Sequence, residues 1–178
     1  VERYISIKKA SKIDASFMSN LKSNVSNGEI EDAKALCASS NTPVARMLHK
    51  GILRLGRPLK DISTSIENVA NLEISNMEKN LSILATISGA APMIGFLGTV
   101  LGMMNTFHKM SAGAEQSSIH IGDLSEGIMY AMTTTVAGLI VGIVAYLAYN
   151  LLVSKVDKVV HKMEDSSLEF MDLLNEPG

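Results

Sequence analysis

The charged residues of this chain leave two long gaps. Positions 80–107 read NLSILATISGAAPMIGFLGTVLGMMNTF, 28 residues without Asp, Glu, Lys or Arg. Positions 127–154 read GIMYAMTTTVAGLIVGIVAYLAYNLLVS, again 28 residues without one. A bilayer-spanning helix needs about 20 predominantly apolar residues, and at about 1.5 Å rise each stretch reaches roughly 42 Å. Both gaps are therefore expected to be transmembrane helices, tilted or protruding into water at their ends. A pair of helices buried in a soluble protein is the alternative. It fails on size, because so short a chain cannot wrap two such helices all round.

Outside the gaps the pattern is helical and polar. A helix is expected from Val1 to Asn24 and a short one over Glu29–Ser40. Thr42 before Pro43 reads as an N-cap followed by proline at the first helical position, opening a helix to Gly56. Arg57-Pro58 restarts a helix that nothing interrupts until about Phe107. Residues 111–125 are rich in Ser, Gly and Ala and read as loop. Asp123 with Glu126 three residues on resembles a capping box for the next helix, which runs without a breaker to Pro177. The predicted class is all-α: two helices of roughly 50 residues that cross a membrane and extend into a helical domain, with no strand pattern. The expected organisation is a cytoplasmic helical region at 1–79, spans at 80–107 and 127–154, a periplasmic loop at 108–126 and a cytoplasmic tail at 155–178. Val1 opens in a helical pattern without an initiator Met, which raises the expectation of a preceding transmembrane helix missing from this chain.

Charge sets the orientation. The linker 108–126 carries one Lys and no Arg, whereas the flanks carry the other 15 of 16 basic residues. Two spans place both flanks on one side, and the Lys/Arg excess makes that side cytoplasmic. A net charge of −2 gives no global attraction to nucleic acid. Lys8, Lys9 and Lys12 read as a solvated or lipid-headgroup face. One cysteine, Cys37, excludes an internal disulfide framework and a Cys-rich zinc site.

The small residues form two seams. Ser88, Pro92, Gly95, Thr99, Gly102 and Thr106 step by four and three along the first span. Ala131, Thr135, Gly138, Gly142 and Ala145 do the same along the second. Each set falls on one helix face. Small faces let helix backbones approach closely in lipid, so Gly95, Gly102, Gly138 and Gly142 are candidate packing residues, either between helices or between subunits of a ring. Thr133 and Thr134 fall off the seam. No span carries an ionisable group of the kind that pumps and proton relays use. If ions cross here, another subunit must bring the charge. No catalytic constellation, cofactor motif or metal cluster is readable, and the four His read as solvated.

LATISGAAPMIGFLGTVLGMMNTF at 84–107 resembles the second-helix signature of the MotA/TolQ/ExbB proton-channel family, "ATxxxxAPxxGLxGTVxGxxxxF". EGIMYAMTTTVAGLIVGIVAYLAYN at 126–150 is similar to its third helix, "xGIxxALxxTxxGLxxAIPAxxxYN". The short linker looks like ExbB or TolQ rather than flagellar MotA. The resemblance implies a non-enzymatic, multi-pass subunit of the bacterial inner membrane, with an outside N-terminus and a first span absent here. It implies a ring-shaped homopentamer in phospholipid, enclosing two copies of an ExbD-like single-span partner whose aspartate titrates. Proton flow would then power a TonB-like protein and outer-membrane transport, with a TolQ-type or gliding-motor role, or a non-conducting scaffold, as alternatives. The family's two channel threonines map onto Thr99 and Thr135. Tyr130 stands where many members carry a glutamate, and Gly142-Ile143-Val144-Ala145 lacks the proline of "AIPA".

Overall fold

The computed structural model describes residues 15–114 and 121–175. Among these, every regular element is an α-helix. In chain order they are α1 (Ala15–Ser26), α2 (Ile30–Ser39), α3 (Pro43–Ile52), α4 (Leu59–Glu78), α5 (Leu81–Ala114) and α6 (Ile121–Asn175). The first part of the expected Val1–Asn24 helix, with Lys8, Lys9 and Lys12, lies outside the described residues, as does His120.

Two compact units result. Among the described residues, one joins 15–79 with 152–175, and the other comprises 80–114 and 121–151. The first has an ordinary apolar core, with Leu21, Val44, Met47, Leu48, Ile52, Ile62, Ile66, Val159, Met163 and Phe170 buried. The α3 start is as the sequence predicts. Thr42 is extended (φ −112°, ψ 152°), its hydroxyl accepts from the Ala45 N–H at 3.2 Å, and Pro43 occupies the first turn. This satisfies one of the orphan N–H groups that every helix start leaves open. Gly51 sits where a Cβ would lie 2.8 Å from Ile66 and 3.0 Å from Phe170, so α3 packs tightly on α4 and the far end of α6. Arg46 spans α3 and α4 with a two-pronged ion pair to Glu73, Nε to Oε1 at 2.7 Å and Nη2 to Oε2 at 2.6 Å. That pair holds the guanidinium above its ordinary pKa.

Three expectations about boundaries change. The helix from Pro58 does not run unbroken into the first span. It ends at Glu78, and Asn80 takes a left-handed φ of 70° before α5 begins. Asn tolerates that region better than most residues because its short side chain can bond locally. The α3 helix stops at Ile52 and the chain turns through Gly56, at φ 87°, before α4. The described residues of the 108–126 segment are helical: α5 continues to Ala114 and α6 starts at Ile121, ahead of the Asp123–Glu126 pair.

In the second unit, α5 pairs with the first part of α6. Both are long and apolar enough to cross a membrane, and only 6% and 11% of their apolar windows is buried. A core helix of a soluble protein would be mostly buried. Here Ile94, Phe96, Leu97, Leu101, Ile140, Val144 and Leu147 face outward and more than half exposed. Such faces are stable only against lipid or other apolar surfaces.

Candidate functional site: a hydroxyl cluster between two apolar helices

The two small-residue seams face each other within one chain. A Cβ on Gly138 would lie 2.6 Å from the Ala91 carbonyl oxygen and 2.9 Å from the Gly95 Cα. One on Gly95 would lie 2.9 Å from the Thr134 carbonyl oxygen and 3.1 Å from the Gly138 Cα. At Gly142 it would meet the Pro92 ring at 2.6 Å, and at Gly102 the Ala131 Cβ at 2.8 Å. The backbones are therefore in direct contact, which dispersion and weak Cα–H···O bonds reward in lipid. Pro92 contributes in a second way. It has no N–H, so the Ser88 carbonyl loses its helical donor, and that oxygen points toward Gly142.

At the middle of this contact sit three threonines. The Thr99 and Thr135 hydroxyls are bonded to each other across the helices. Thr99 Oγ1 also lies 3.1 Å from the Ala131 carbonyl and 3.3 Å from that of Gly95. Thr135 Oγ1 lies 3.2 Å from the Gly95 carbonyl. Thr134 Oγ1 donates to the Ala131 carbonyl at 2.7 Å and approaches that of Gly95 at 3.2 Å. Thr134 is thus part of the interface, a correction to the reading that it lies off the seam. The reason is geometric. A row stepping by four and three marks the centre of a face, and two helices in backbone contact engage residues on both sides of it. Thr133 does point away. It is exposed and bonds only its own helix, at the Met129 carbonyl. It lines an open groove of about 530 Å³ with Ser125, Ile128, Met129, Met132 and Val136.

Each hydroxyl has one hydrogen and two lone pairs. Thr99 can donate to Thr135 while Thr135 donates to the Gly95 carbonyl. Equally, Thr135 can donate to Thr99 while Thr99 donates to the Ala131 carbonyl. Both patterns use every hydroxyl hydrogen, so the pair can reverse direction without moving a heavy atom. Neither threonine releases a proton near neutral pH. The pair can solvate and relay, but it cannot hold a charge. Among the described residues no group of three or more His, Cys, Asp or Glu could hold a metal ion.

The MotA/TolQ/ExbB proton channel family model matches residues 39–165, which include α3, α4, α5 and α6 as far as residue 165. The chain belongs to that family. Among curated MotA/TolQ/ExbB relatives, it is 39% identical over 97 residues to the biopolymer transport protein ExbB of Aquifex aeolicus, covering 53% of this chain and 63% of that one. It is 32% identical over 117 residues to the Tol-Pal system protein TolQ of Haemophilus influenzae, covering 66% and 50%. It is 26% identical over 170 residues to the ExbB of Pseudomonas putida, covering 94% and 47%. The chain thus spans about half the length of the curated relatives it matches. Families of this kind are channels and transporters rather than enzymes, and the two candidate spans agree with a membrane protein.

Proposed function

We propose that this chain is a proton-channel and stator subunit of an inner-membrane motor that uses the proton motive force to energise TonB-dependent outer-membrane transport. Five copies form a ring, with residues 1–79 and 155–178 in the cytoplasm and 108–126 in the periplasm. Two copies of an ExbD-like single-span protein sit inside and contact a TonB-like protein. The observation that carries this reading is the hydroxyl pair Thr99–Thr135, held in helix contact within spans that lack Asp, Glu, His, Lys and Arg. A carboxylate entering an apolar site unpaired is expensive. A hydroxyl bond to a charged group is worth about 1.5–3 kcal/mol. A relay pair without its own charge fits a partner that brings an aspartate. The seam glycines Gly95, Gly102, Gly138 and Gly142 serve this arrangement by setting the helix separation, and the groove beside Thr133 gives a partner helix room.

A TolQ-type role is the second reading, favoured by the Haemophilus TolQ relative matched over 66% of this chain. The partner decides between them. The test is to co-express the chain with the single-span, Asp-bearing protein of a neighbouring reading frame and measure proton flux in reconstituted vesicles. Flux that requires both proteins and the partner's aspartate supports the reading. A complex that forms but conducts nothing under a proton gradient would leave a structural scaffold instead.

A further inference from the structure

The turn joining α3 to α4 carries Lys50, Arg54, Arg57 and Lys60 without an acidic residue between positions 50 and 60. Leu53 and Leu59 stand among them, 52% and 39% exposed. The far end of α6 has the opposite composition. Glu164, Asp165, Glu169 and Asp172 occur without a basic residue between positions 164 and 172. Leu168, 65% exposed, lies in their midst. Among the described residues none of the four basic groups has an ion-pair partner, and neither do Asp165, Glu169 and Asp172. Among the same residues Glu164 meets His161, at 3.3 Å.

The two surfaces cannot satisfy each other within one chain. Val156, Val159, Met163, Ser166 and Phe170 form the buried side of this part of α6. Glu164, Asp165, Leu168 and Asp172 fall on the opposite side by helical spacing. Gly51 packs against Phe170, so the basic turn that follows it lies on the buried side of α6. A like-charged surface around an exposed leucine is matched by another of opposite sign around another leucine, in the same unit and facing elsewhere. This is the pattern of a head-to-tail contact between copies, which generates a ring when the rotation closes. Charge complementarity of this kind fixes register and partner choice.

We propose that the α3–α4 turn of one copy docks on the acidic side of α6 in the next copy, Leu53 and Leu59 against Leu168 within a frame of opposite charges. This deepens the ring reading given above and rests on it. The test is native mass spectrometry of the full chain in mild detergent, as a dilution series. Arg54→Glu with Arg57→Glu, or Asp165→Lys with Asp172→Lys, should raise the concentration of half-dissociation about tenfold or more. All four changes together should return it toward the starting value, which a folding defect could not do. A second measurement mixes copies carrying Leu53→Cys with copies carrying Leu168→Cys; oxidation should give cross-linked dimers only in the mixture. Reversals that leave the oligomer unchanged, or a four-fold variant that stays dissociated, overturn this contact while the ring reading stands. An unmodified chain that is monomeric at every concentration overturns both. Loss of binding to phosphatidylglycerol vesicles by the basic reversal, with the oligomer intact, assigns the turn to the membrane surface and overturns docking between copies.

Discussion

Thr99 on α5 and Thr135 on α6 are hydrogen-bonded to each other across the contact between the two apolar helices. They lie 36 positions apart in sequence. Their meeting depends on the glycines beside them, because Gly95 and Gly138 remove the two side chains that would hold the backbones apart. The packing seam and the polar pair are one construction.

Substitution at the seam should therefore act within a chain before it acts between chains. Gly138→Ala places a Cβ against a carbonyl and a backbone Cα, neither of which can swing aside. Overpacking of this sort costs typically about 1–3 kcal/mol. Gly89 has open space around its Cβ position and serves as control. Thermal unfolding in detergent should show a clear loss for Gly138→Ala and little change for Gly89→Ala. Equal behaviour of the two would remove the close backbone contact from the account.

Adjacent threonines should separate cleanly. Thr134→Val puts a methyl where a hydroxyl donates to the Ala131 carbonyl, and loses about 1 kcal/mol of hydrogen bonding. Thr133→Val changes an exposed side chain that bonds only its own helix. Thr134→Val should lower stability and weaken activity, whereas Thr133→Val should leave both near normal. The reverse ranking, in the same unfolding and uptake assays, would place the interface on the wrong side of α6.

Cys37 reports on the first unit. It is buried, and burial pushes its thiol from 9.0 up to about 11. Thiol reagents act on the thiolate, so labelling should be slow at neutral pH until the unit unfolds. The sign of the pH dependence follows. From about pH 9 toward 11 the unfolded chain releases a proton that the folded chain retains, so this group's stabilisation is present below pH 9 and fades as pH rises through that window. Labelling of the native protein at the rate of a free thiol would contradict the burial.

Arg46 tests whether the α3–α4 ion pair is more than decoration. Both side chains keep some contact with water, so the pair is worth at most about 1 kcal/mol. Its two-pronged geometry also involves the Asn41 side chain, which accepts from Nη1 at 2.7 Å. Lysine cannot make three such bonds in a plane. Arg46→Lys should thus lower the unfolding midpoint nearly as much as Arg46→Ala, and a fully rescued Lys variant would assign the effect to charge alone.

Much of this architecture is legible in the chain itself. The missing charges mark both long apolar helices, and Thr42-Pro43 marks the start of α3, because these signals are local. The seam positions are legible because lipid-embedded helices reserve their close contacts for small residues. The break at Lys79–Asn80 carries no Gly or Pro, and a single Asn in a left-handed conformation leaves no periodic trace. The helical ends of the 108–126 segment were hidden by Ser, Gly and Ala, whose helix propensity ranges from poor to best. Thr134 is not legible in the spacing, because a single row marks only the centre of a face and two backbones in contact use its margins as well. That α5 and α6 of one chain use both seams on each other is a tertiary fact, and spacing alone left a contact between subunits equally open.

The most direct test of the account is proton-motive-force-dependent uptake by Thr135→Val in a strain lacking the native subunit. Valine keeps the shape and removes only the hydroxyl, so the complex should still assemble while neither relay pattern with Thr99 can form. Uptake should fall to background, with intact complex recovered by native mass spectrometry, and Thr99→Val should behave alike. Full uptake in Thr135→Val would reduce the hydroxyl pair to packing and contradict the central claim.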